Sequence, residues 1–217
     1  PEYSVQLLDR RYLTQPKSRA QLAAEAQTRV AGLLEADAHL NALRRFQRRE
    51  LLRIGAADLF ALLDLPGVTL QLSQLADCLV GMCLEIAARQ TGVSLQGFAV
   101  IGMGKLGGSE LNYSSDIDLL FIADHDAGAY QRLGERLIEG LSRVTAEGFL
   151  YRVDMRLRPW GRSGPLVSSL AAHATYMRQH ARLWERQALL KARPVAGSED
   201  VGRAFLRQAA ALVFDGV

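Results

Sequence analysis

Cysteine and histidine are scarce in this chain of 217 residues, which has two cysteines and four histidines. The sequence contains neither a Cys-x-x-Cys pair nor a cluster of cysteine and histidine residues. This scarcity argues against a disulfide framework and against a zinc site. Cys78 and Cys83 lie in an apolar stretch of helical character. We therefore predict two buried thiols in a reducing cytoplasm.

Long apolar runs, internal repeats and low-complexity segments are missing as well. We find no signal peptide and no apolar run of about 18 residues, so we expect no membrane segment and a cytoplasmic location. The hydrophobic fraction of 49% is ample for a packed core. The chain begins at Pro1 without methionine, and we expect it to be a piece of a longer protein.

Positive charge is concentrated in one segment. The formal net charge is only +3, but residues 151–193 contain nine lysines and arginines against two acidic residues. This excess indicates an anionic partner, such as a nucleotide, phosphate or nucleic acid, beside the segment. A solvated basic surface is the alternative interpretation.

Helical periodicity is typical of the first part of the chain. Apolar residues recur at helical spacing over 19–38, 40–63 and 70–90. Residues 64–67 break the pattern and Gly92 ends it, so we predict a helical region over residues 1–92. The basic run Arg44–Arg53 is interpreted as a solvated face of a helix, and contact with an acidic partner is the alternative.

The rest of the chain has the pattern of a mixed α/β (α+β) fold. Strands are predicted over 98–101, 117–122 and 150–158, and helices over 129–146, 168–192 and 199–213. We predict a core over residues 93–167, in which helices flank a short mixed sheet. A helical extension over 168–217 is expected to pack on this core, and Ser168 or Ser169 can cap its first helix.

The most informative stretch runs from Gly102 to Ile122. An apolar strand leads into a glycine-rich turn, and an Asp-x-Asp pair then opens a second apolar run. Because side chains alternate along a strand, Asp116 and Asp118 point to the same face. Two carboxylates beside a loop that can bind phosphate are what a magnesium-dependent nucleotide enzyme requires.

A third strand can complete this site. Residues 150–158 alternate between apolar and charged side chains, and the charged face carries Asp154 among arginines. If this strand lies beside the Asp-x-Asp strand, three carboxylates meet and can hold two Mg²⁺ ions. Arg156 and Arg158 can then bind phosphate oxygens. The alternative is that Asp154 is simply paired with its arginine neighbours.

The glycine-rich turn fits neither of two well-known nucleotide motifs. Only residues 109–115 separate the glycines from the next strand, which is too short for the helix of a dinucleotide-binding fold. Lys105 precedes the glycine pair, so the Walker pattern does not occur. Gly107, Gly108 and Ser109 can still bring backbone N–H groups and a hydroxyl to a polyphosphate.

Together these features resemble a known family. A Gly-Gly-Ser turn, an Asp-x-Asp pair and a later strand aspartate are similar to the pattern of the DNA polymerase β-like nucleotidyltransferase superfamily. Longer motifs resemble the bacterial glutamine synthetase adenylyltransferase/deadenylylase family, and they lie at 103–119, 151–159, 163–167, 184–186 and 191–193. The resemblance covers about Arg44 to Gly197 and includes Trp184, Glu185 and Lys191, for which we predict no chemical role.

The resemblance implies site residues and partners. It implies a nucleotidyltransferase core that uses Mg²⁺, and Lys105 is expected only to support the loop. The catalytic metal ligands implied are Asp116, Asp118 and Asp154. The residues implied to bind nucleotide or phosphate are Gly107, Gly108, Ser109, Ser115, Arg152, Arg156 and Arg158. The partners implied are glutamine synthetase, the PII signalling protein, orthophosphate and ADP or ATP, with no nucleic acid and no membrane.

The resemblance also implies a direction of reaction. Members of the family carry two nucleotidyltransferase domains, of which the amino-terminal one removes AMP from a tyrosine of glutamine synthetase by phosphorolysis. Arg152 and Met155 favour this copy. Two alternatives stay open: an adenylylating domain that uses ATP, and a non-catalytic module that binds PII or glutamine synthetase. A nucleic-acid polymerase is less favoured because the chain lacks interleaved aromatic and basic residues.

Overall fold

The computed structural model describes residues 10–214, and the helicity predicted for residues 1–9 lies outside this range. Nine α-helices and five β-strands are described within it. The helices are α1 (Arg10–Thr14), α2 (Arg19–Val30), α3 (Ala36–Leu59), α4 (Leu65–Thr91), α5 (Gly104–Gly107), α6 (Gln131–Ser142), α7 (Leu170–Gln179), α8 (Leu183–Ala188) and α9 (Glu199–Phe214). The strands are β1 (Phe98–Gly102), β2 (Ile117–Ala123), β3 (Val153–Asp154), β4 (Val167–Ser169) and β5 (Arg193–Gly197).

Local capping explains where several helices begin and end. The segment 64–67, predicted as a break, is instead the start of α4: the Asp64 side chain accepts a hydrogen bond from the Gly67 N–H at 2.9 Å. Gly92 ends α4 with a left-handed φ of 70°, as predicted. Ser169 caps α7 by accepting from the Ala172 N–H, which confirms one of the two predicted caps.

Helix α4 is long and apolar enough to cross a membrane by length and composition alone. Its 18-residue window has a mean hydropathy of 1.3, so the expectation that the chain has no such run is wrong. The protein buries 72% of that window, because α2, α3, α6 and β5 pack around the helix. This is the environment of a core helix. Cys78 and Cys83 lie on it and are buried, as predicted.

The basic run on α3 is buried only in part: Arg45 and Arg48 are exposed, as predicted, but the interpretation as a solvated face is wrong for Arg44, Arg49 and Arg53. Arg44 and Arg53 are 1% and 0% exposed. Arg53 donates to Glu50 and to Gln71 of α4, both at 2.8 Å. Arg44 donates to the Arg143 carbonyl at 2.9 Å. Long arginine side chains can enter a core when carboxylates and carbonyls receive their N–H groups.

The sheet is mixed and open. Its strands run in the order β3-β2-β1-β5, and β4 also pairs with β2 beyond the end of β3. Strand β1 is antiparallel to both β2 and β5, whereas β3 and β4 are parallel to β2. This arrangement confirms the predicted mixed α/β class with a short sheet flanked by helices. The domain boundaries at residues 92 and 167 stay a prediction.

The two central strands are buried on both faces, which explains their continuous apolar runs. On one face, Phe98 and Phe121 join a cluster with residues of α2, α3, α4 and α6. On the other face, Ile101 and Ile122 join a cluster with residues of α7 and α9, including Phe205. The sheet is thus sandwiched between the helical region and the last helices.

Four elements differ from prediction, and the helix predicted over 168–192 is divided into α7 and α8. The third strand is only Val153–Asp154, because the Asp154 carboxylate accepts the Arg156 N–H at 2.8 Å and turns the chain away from the sheet. Strands β4 and β5 were not predicted, since both are short and lack clear alternation. The helix predicted over 129–146 is a short 3-10 turn at Gly128–Tyr130 followed by α6, which ends at Ser142.

Candidate active site

Three carboxylates meet at the start of β2. Asp118 is the second residue of β2 and lies opposite Asp154 in the parallel pairing with β3. Asp116 immediately precedes β2, so it points to the same side of the strand as Asp118. The predicted condition, that the third strand lies beside the Asp-x-Asp strand, is confirmed. Strand pairing therefore brings together aspartates that are far apart in sequence.

The carboxylates differ in their electrostatic surroundings. Burial raises the pKa of Asp118, and the neighbouring charges of Asp154 and Asp116 raise it further. The pKa of Asp154 is lowered instead, chiefly because its side chain accepts a hydrogen bond from Arg156. The nearby basic side chains therefore compensate the negative charge of Asp118 only in part. Such uncompensated negative charge favours a bound cation.

Two arginines are already bonded to this cluster. Arg152 Nε lies 2.5 Å from Asp116 Oδ1, and the same guanidinium donates to the Ser114 carbonyl at 2.7 Å. Arg156 Nε lies 2.7 Å from Asp154 Oδ2. The alternative predicted for Asp154, pairing with an arginine neighbour, is thus also realised. Both arginine side chains are more than half exposed.

The donor set suits Mg²⁺, although its side chains are not gathered around one point. Among residues 10–214, no three Asp, Glu, His or Cys side chains are grouped closely enough to hold a metal ion. Carboxylate oxygens are the ligands that Mg²⁺ prefers. Gly104 has a φ of +53°, and a Cβ there would lie 2.8 Å from Asp118 Oδ2. A glycine at this position therefore keeps space beside the carboxylate, and Asp116 and Asp154 could join it by releasing their arginines.

The glycine-rich turn differs from its predicted mode of action. The N–H groups expected to face phosphate donate within the turn instead: Gly107 to Met103, Gly108 to Gly104 and Ser109 to Leu106, at 3.0–3.1 Å. A Cβ on Gly107 would lie 2.0 Å from the Lys191 carbonyl oxygen. Close backbone packing therefore explains why a glycine occupies position 107. The Ser109 hydroxyl is the group of the turn that the predicted phosphate contact requires.

Ser115 and Arg158 both stabilise loops at the site. The Ser115 hydroxyl donates to the Asn112 side-chain oxygen, which also accepts from Lys105 Nζ at 3.2 Å. This bond agrees with the expected supporting role of Lys105. The guanidinium of Arg158 donates to three backbone carbonyls, those of Met155, Arg162 and Gly164, at 2.9–3.3 Å. Arg158 therefore shapes the turn after β3.

Part of the predicted site borders an open cleft of about 440 Å³, whose lining includes neither Asp118 nor Arg152 nor the glycine-rich turn. Its lining is Asp116, Val153, Asp154, Met155, Arg156, Arg158 and Arg162. Two carboxylates and three arginines thus share one surface, which suits a ligand that carries phosphate and binds with a cation. Arg162 was not among the predicted site residues, although the excess of basic residues in 151–193 includes it.

A second residue missed by sequence reasoning holds the glycine turn in place. Arg193, in β5, donates to the Leu106 carbonyl at 2.9 Å and forms two bonds with Asp77 of α4, at 2.6 and 3.1 Å. Burial raises the pKa of Asp77, and the Arg193 bonds oppose this rise. The pair connects the helical region to the turn. The only sequence signal for Arg193 was the family motif at residues 191–193.

The other residues of the later motifs have structural contacts. Lys191 Nζ lies 2.7 Å from Glu110, just after the glycine turn. Glu185 accepts from the Tyr176 hydroxyl at 2.6 Å and from the Arg182 N–H at 2.8 Å. Trp184 is 51% exposed. Glu185 therefore stabilises the α7–α8 turn.

The chain is similar to known proteins of one family. The family model described as glutamate-ammonia ligase adenylyltransferase matches residues 1–208. A protein of Hahella chejuensis is 42% identical over 212 residues, which cover 87% of this chain and 21% of that protein. A protein of Methylococcus capsulatus is 40% identical over 206 residues, covering 85% and 22% respectively.

Both relatives are named bifunctional glutamine synthetase adenylyltransferase/adenylyl-removing enzyme, as is a protein of Chromobacterium violaceum that is 40% identical over 208 residues. The Chromobacterium match covers 92% of this chain and 23% of that protein, so the chain spans about a fifth of the length of these relatives. The chain therefore belongs to the glutamate-ammonia ligase adenylyltransferase family.

Proposed function

We propose that this chain carries the adenylyl-removing activity of its family. In this reaction it removes AMP from an adenylylated tyrosine of glutamine synthetase, with orthophosphate as the acceptor, and releases ADP. The observation that carries the proposal is the proximity of Asp116, Asp118 and Asp154 at the start of β2, beside a cleft that Asp116, Asp154 and three arginines line. The names of the relatives support glutamine synthetase as the protein substrate.

The chemistry is an in-line displacement at phosphorus. An orthophosphate oxygen attacks the α-phosphorus, the bond from phosphorus to the tyrosine oxygen breaks, and the phenolate leaves to take a proton from water. A phenol has a pKa of about 10, so its oxygen needs charge stabilisation as it leaves rather than a strong acid. Mg²⁺ bound by the three aspartates would neutralise phosphate oxygens in such a reaction.

Phosphorolysis requires a second anion site, because the attacking group is orthophosphate rather than the water that a hydrolase uses. The arginines supply this site. Arg152 and Arg156 are half or more exposed, and each is bonded to a carboxylate that is also a proposed metal ligand. Metal binding at the carboxylates would free both guanidinium groups to bind phosphate oxygens. Ser109 and Ser115 would contact the nucleotide phosphates through their hydroxyl groups.

The same proposal includes regulation and location. We place the protein in the cytoplasm, with PII as its regulatory partner, and expect it to bind neither nucleic acid nor membrane.

A second candidate is adenylylation of glutamine synthetase with ATP, because the names of the relatives include both activities. Arg152 favours removal over addition, since it adds positive charge on the face where orthophosphate would bind.

The test is a phosphate-dependent assay. The chain is incubated with AMP-modified glutamine synthetase, Mg²⁺ and orthophosphate, and ADP is measured. We expect ADP from the wild-type chain and none from the double variant Asp116→Ala/Asp118→Ala. The variant Asp124→Ala, just beyond the other end of β2, is the matched control and should retain activity.

Two other results would lead to different conclusions. AMP transfer from ATP to unmodified glutamine synthetase, without ADP formation from the modified enzyme, would identify the adenylylating activity instead. Binding of glutamine synthetase or PII that survives the double substitution, without turnover in either direction, would identify a docking module.

A further inference from the structure

A second pocket lies directly beside the charged cleft. It has a volume of about 280 Å³ and is formed between α3, α4, the loop before β2 and the segment before β3. Arg152 lines this pocket, and its Nε is 2.5 Å from Asp116 Oδ1, which lines the cleft. The Arg152–Asp116 ion pair is thus the shared wall of the two cavities.

The two cavities differ in chemical character. The floor of the second pocket is apolar and is made by Leu51, Leu72 and Leu111, while Tyr113 and Phe149 stand at its rim with exposures of 45% and 40%. Its other charged residue, Arg48, is bonded to Glu147. An apolar pocket next to a charged cleft suits one ligand with an anionic part and a neutral aromatic part.

Hydrogen bonds made by the lining residues hold the walls of the pocket in place. The Tyr113 hydroxyl donates to Asp58 Oδ2 at 2.9 Å, which fixes the loop to α3. Gln47 donates to the Leu150 carbonyl at 2.6 Å, which fixes the opposite wall. Asn112 and Ser115 are bonded to each other at the polar edge. A pocket with fixed walls needs little rearrangement to accept a rigid ring.

We infer that this pocket binds the adenine base of the nucleotide while the cleft binds its phosphates. The inference rests on the proposed function. The adenylyl-tyrosine substrate contains two aromatic rings, but only adenine stays attached to the reacting phosphorus in both substrate and product. The phenol ring leaves with its protein. A preformed pocket behind the Arg152–Asp116 pair is therefore suited to the ring that stays.

The test compares ligands with and without a base. Leu51→Trp fills the pocket, and titration calorimetry in Mg²⁺ measures binding of ADP and of pyrophosphate. We expect ADP affinity to fall about tenfold or more, with pyrophosphate affinity unchanged. Leu52→Trp is the matched control, because Leu52 is 43% exposed on the same helix and does not line the pocket. It should leave both affinities unchanged.

A milder variant protects the test against misfolding. Phe149→Ala removes a half-exposed rim ring and should also weaken ADP more than pyrophosphate; the thermal midpoint of each variant verifies its fold. Unchanged ADP binding in Leu51→Trp and Phe149→Ala would overturn the assignment while leaving the proposed function intact. Selective loss of phenyl phosphate binding instead would assign the pocket to the tyrosine ring. No ADP binding by the wild-type chain would overturn both the assignment and the proposed function.

Discussion

Two regions of this protein use arginine–carboxylate pairs differently. Around α3, Glu50 is fully buried and lies 2.8 Å from Arg53 and 3.0 Å from Lys17. At the edge of the cleft, Arg152 Nε and Asp116 Oδ1 lie 2.5 Å apart, but their side chains are 59% and 49% exposed. Both regions use ion pairs between a basic side chain and a carboxylate. Burial makes the pairs of Glu50 structural, whereas the exposed Arg152–Asp116 pair can be replaced by a ligand.

The buried network connects elements of the helical region. Gln71 of α4 accepts from Arg53 at 2.8 Å and from the Lys17 N–H at 2.9 Å, so Glu50, Arg53 and Gln71 form one continuous set of bonds. Removing one charge from such a set leaves the others buried without compensation. In the cleft, water can solvate whatever a substitution leaves behind, and the cost of exposed pairs is small.

The largest expected effect comes from breaking the buried network. Glu50→Gln should lower the free energy of unfolding by about 3–5 kcal/mol, because Lys17 and Arg53 lose their shared carboxylate. Glu139→Gln is the control: its partner Arg136 lies 2.6 Å away on the surface, and the loss should stay below about 1 kcal/mol. Urea denaturation measures both. If Glu50→Gln and Glu139→Gln lowered the free energy of unfolding equally, burial would not distinguish the two kinds of ion pair.

The next largest effect concerns catalysis. Asp118→Asn should reduce the rate of phosphate-dependent ADP formation by about 10²–10³-fold, because the most central carboxylate loses its charge. Circular dichroism should show an unchanged fold. The variant Asp124→Asn, at the other end of β2, serves as the reference. Retained activity in Asp118→Asn would remove this residue from the proposed metal site.

A third prediction concerns a buried ionisable group that has no charged partner among residues 10–214. Burial lowers the pKa of His173, which is 2% exposed, to about 4 from an ordinary value of 6.5. Because the folded protein resists protonation here, stability should be complete above pH 6.5 and fall as the pH drops toward 4. The loss at pH 5 should be about 2 kcal/mol.

Denaturant titrations between pH 7 and pH 4 measure this loss. His173→Phe keeps an aromatic ring against Phe205, whose ring centre is 5.1 Å away, and should remove most of the acid sensitivity over this range. His125→Asn changes a side chain that is 93% exposed and should not. An identical pH profile in His173→Phe would show that other groups cause the acid loss.

The smallest expected effect is a gain in stability at the site. The pKa of Asp118 is raised by burial and by Asp154 and Asp116, so its ionised form opposes folding at neutral pH. Asp118→Asn should therefore stabilise the protein by about 0.5–2 kcal/mol at pH 7. The gain should disappear as the pH falls through the raised pKa, where the wild-type carboxyl is also neutral. Thermal melting at two pH values measures it, and destabilisation by Asp118→Asn at pH 7 would show that the carboxylate is already fully compensated.

Local sequence determined much of the site. Alternation along β2 places Asp116 and Asp118 on one side, and the short spacing to the glycines excludes a dinucleotide-binding fold. The strand aspartate Asp154 was found from its own alternation, and its pairing with β2 followed as predicted. Helix ends at Gly92 and Ser169 were also predictable. These features depend on neighbours within a few residues, which the sequence displays directly.

Only the tertiary structure decided which charges are buried and which cavities adjoin. Arg44 and Arg53 were expected in solvent, because periodicity shows which residues share a helix face but not what covers that face. Strand β5 pairs with β1, whose residues lie more than ninety positions earlier in the chain, and the Arg193–Asp77 pair joins residues 116 positions apart. The shared wall between cleft and pocket depends likewise on pairing across the sheet. Contacts of this kind are set by packing, so no local pattern reveals them.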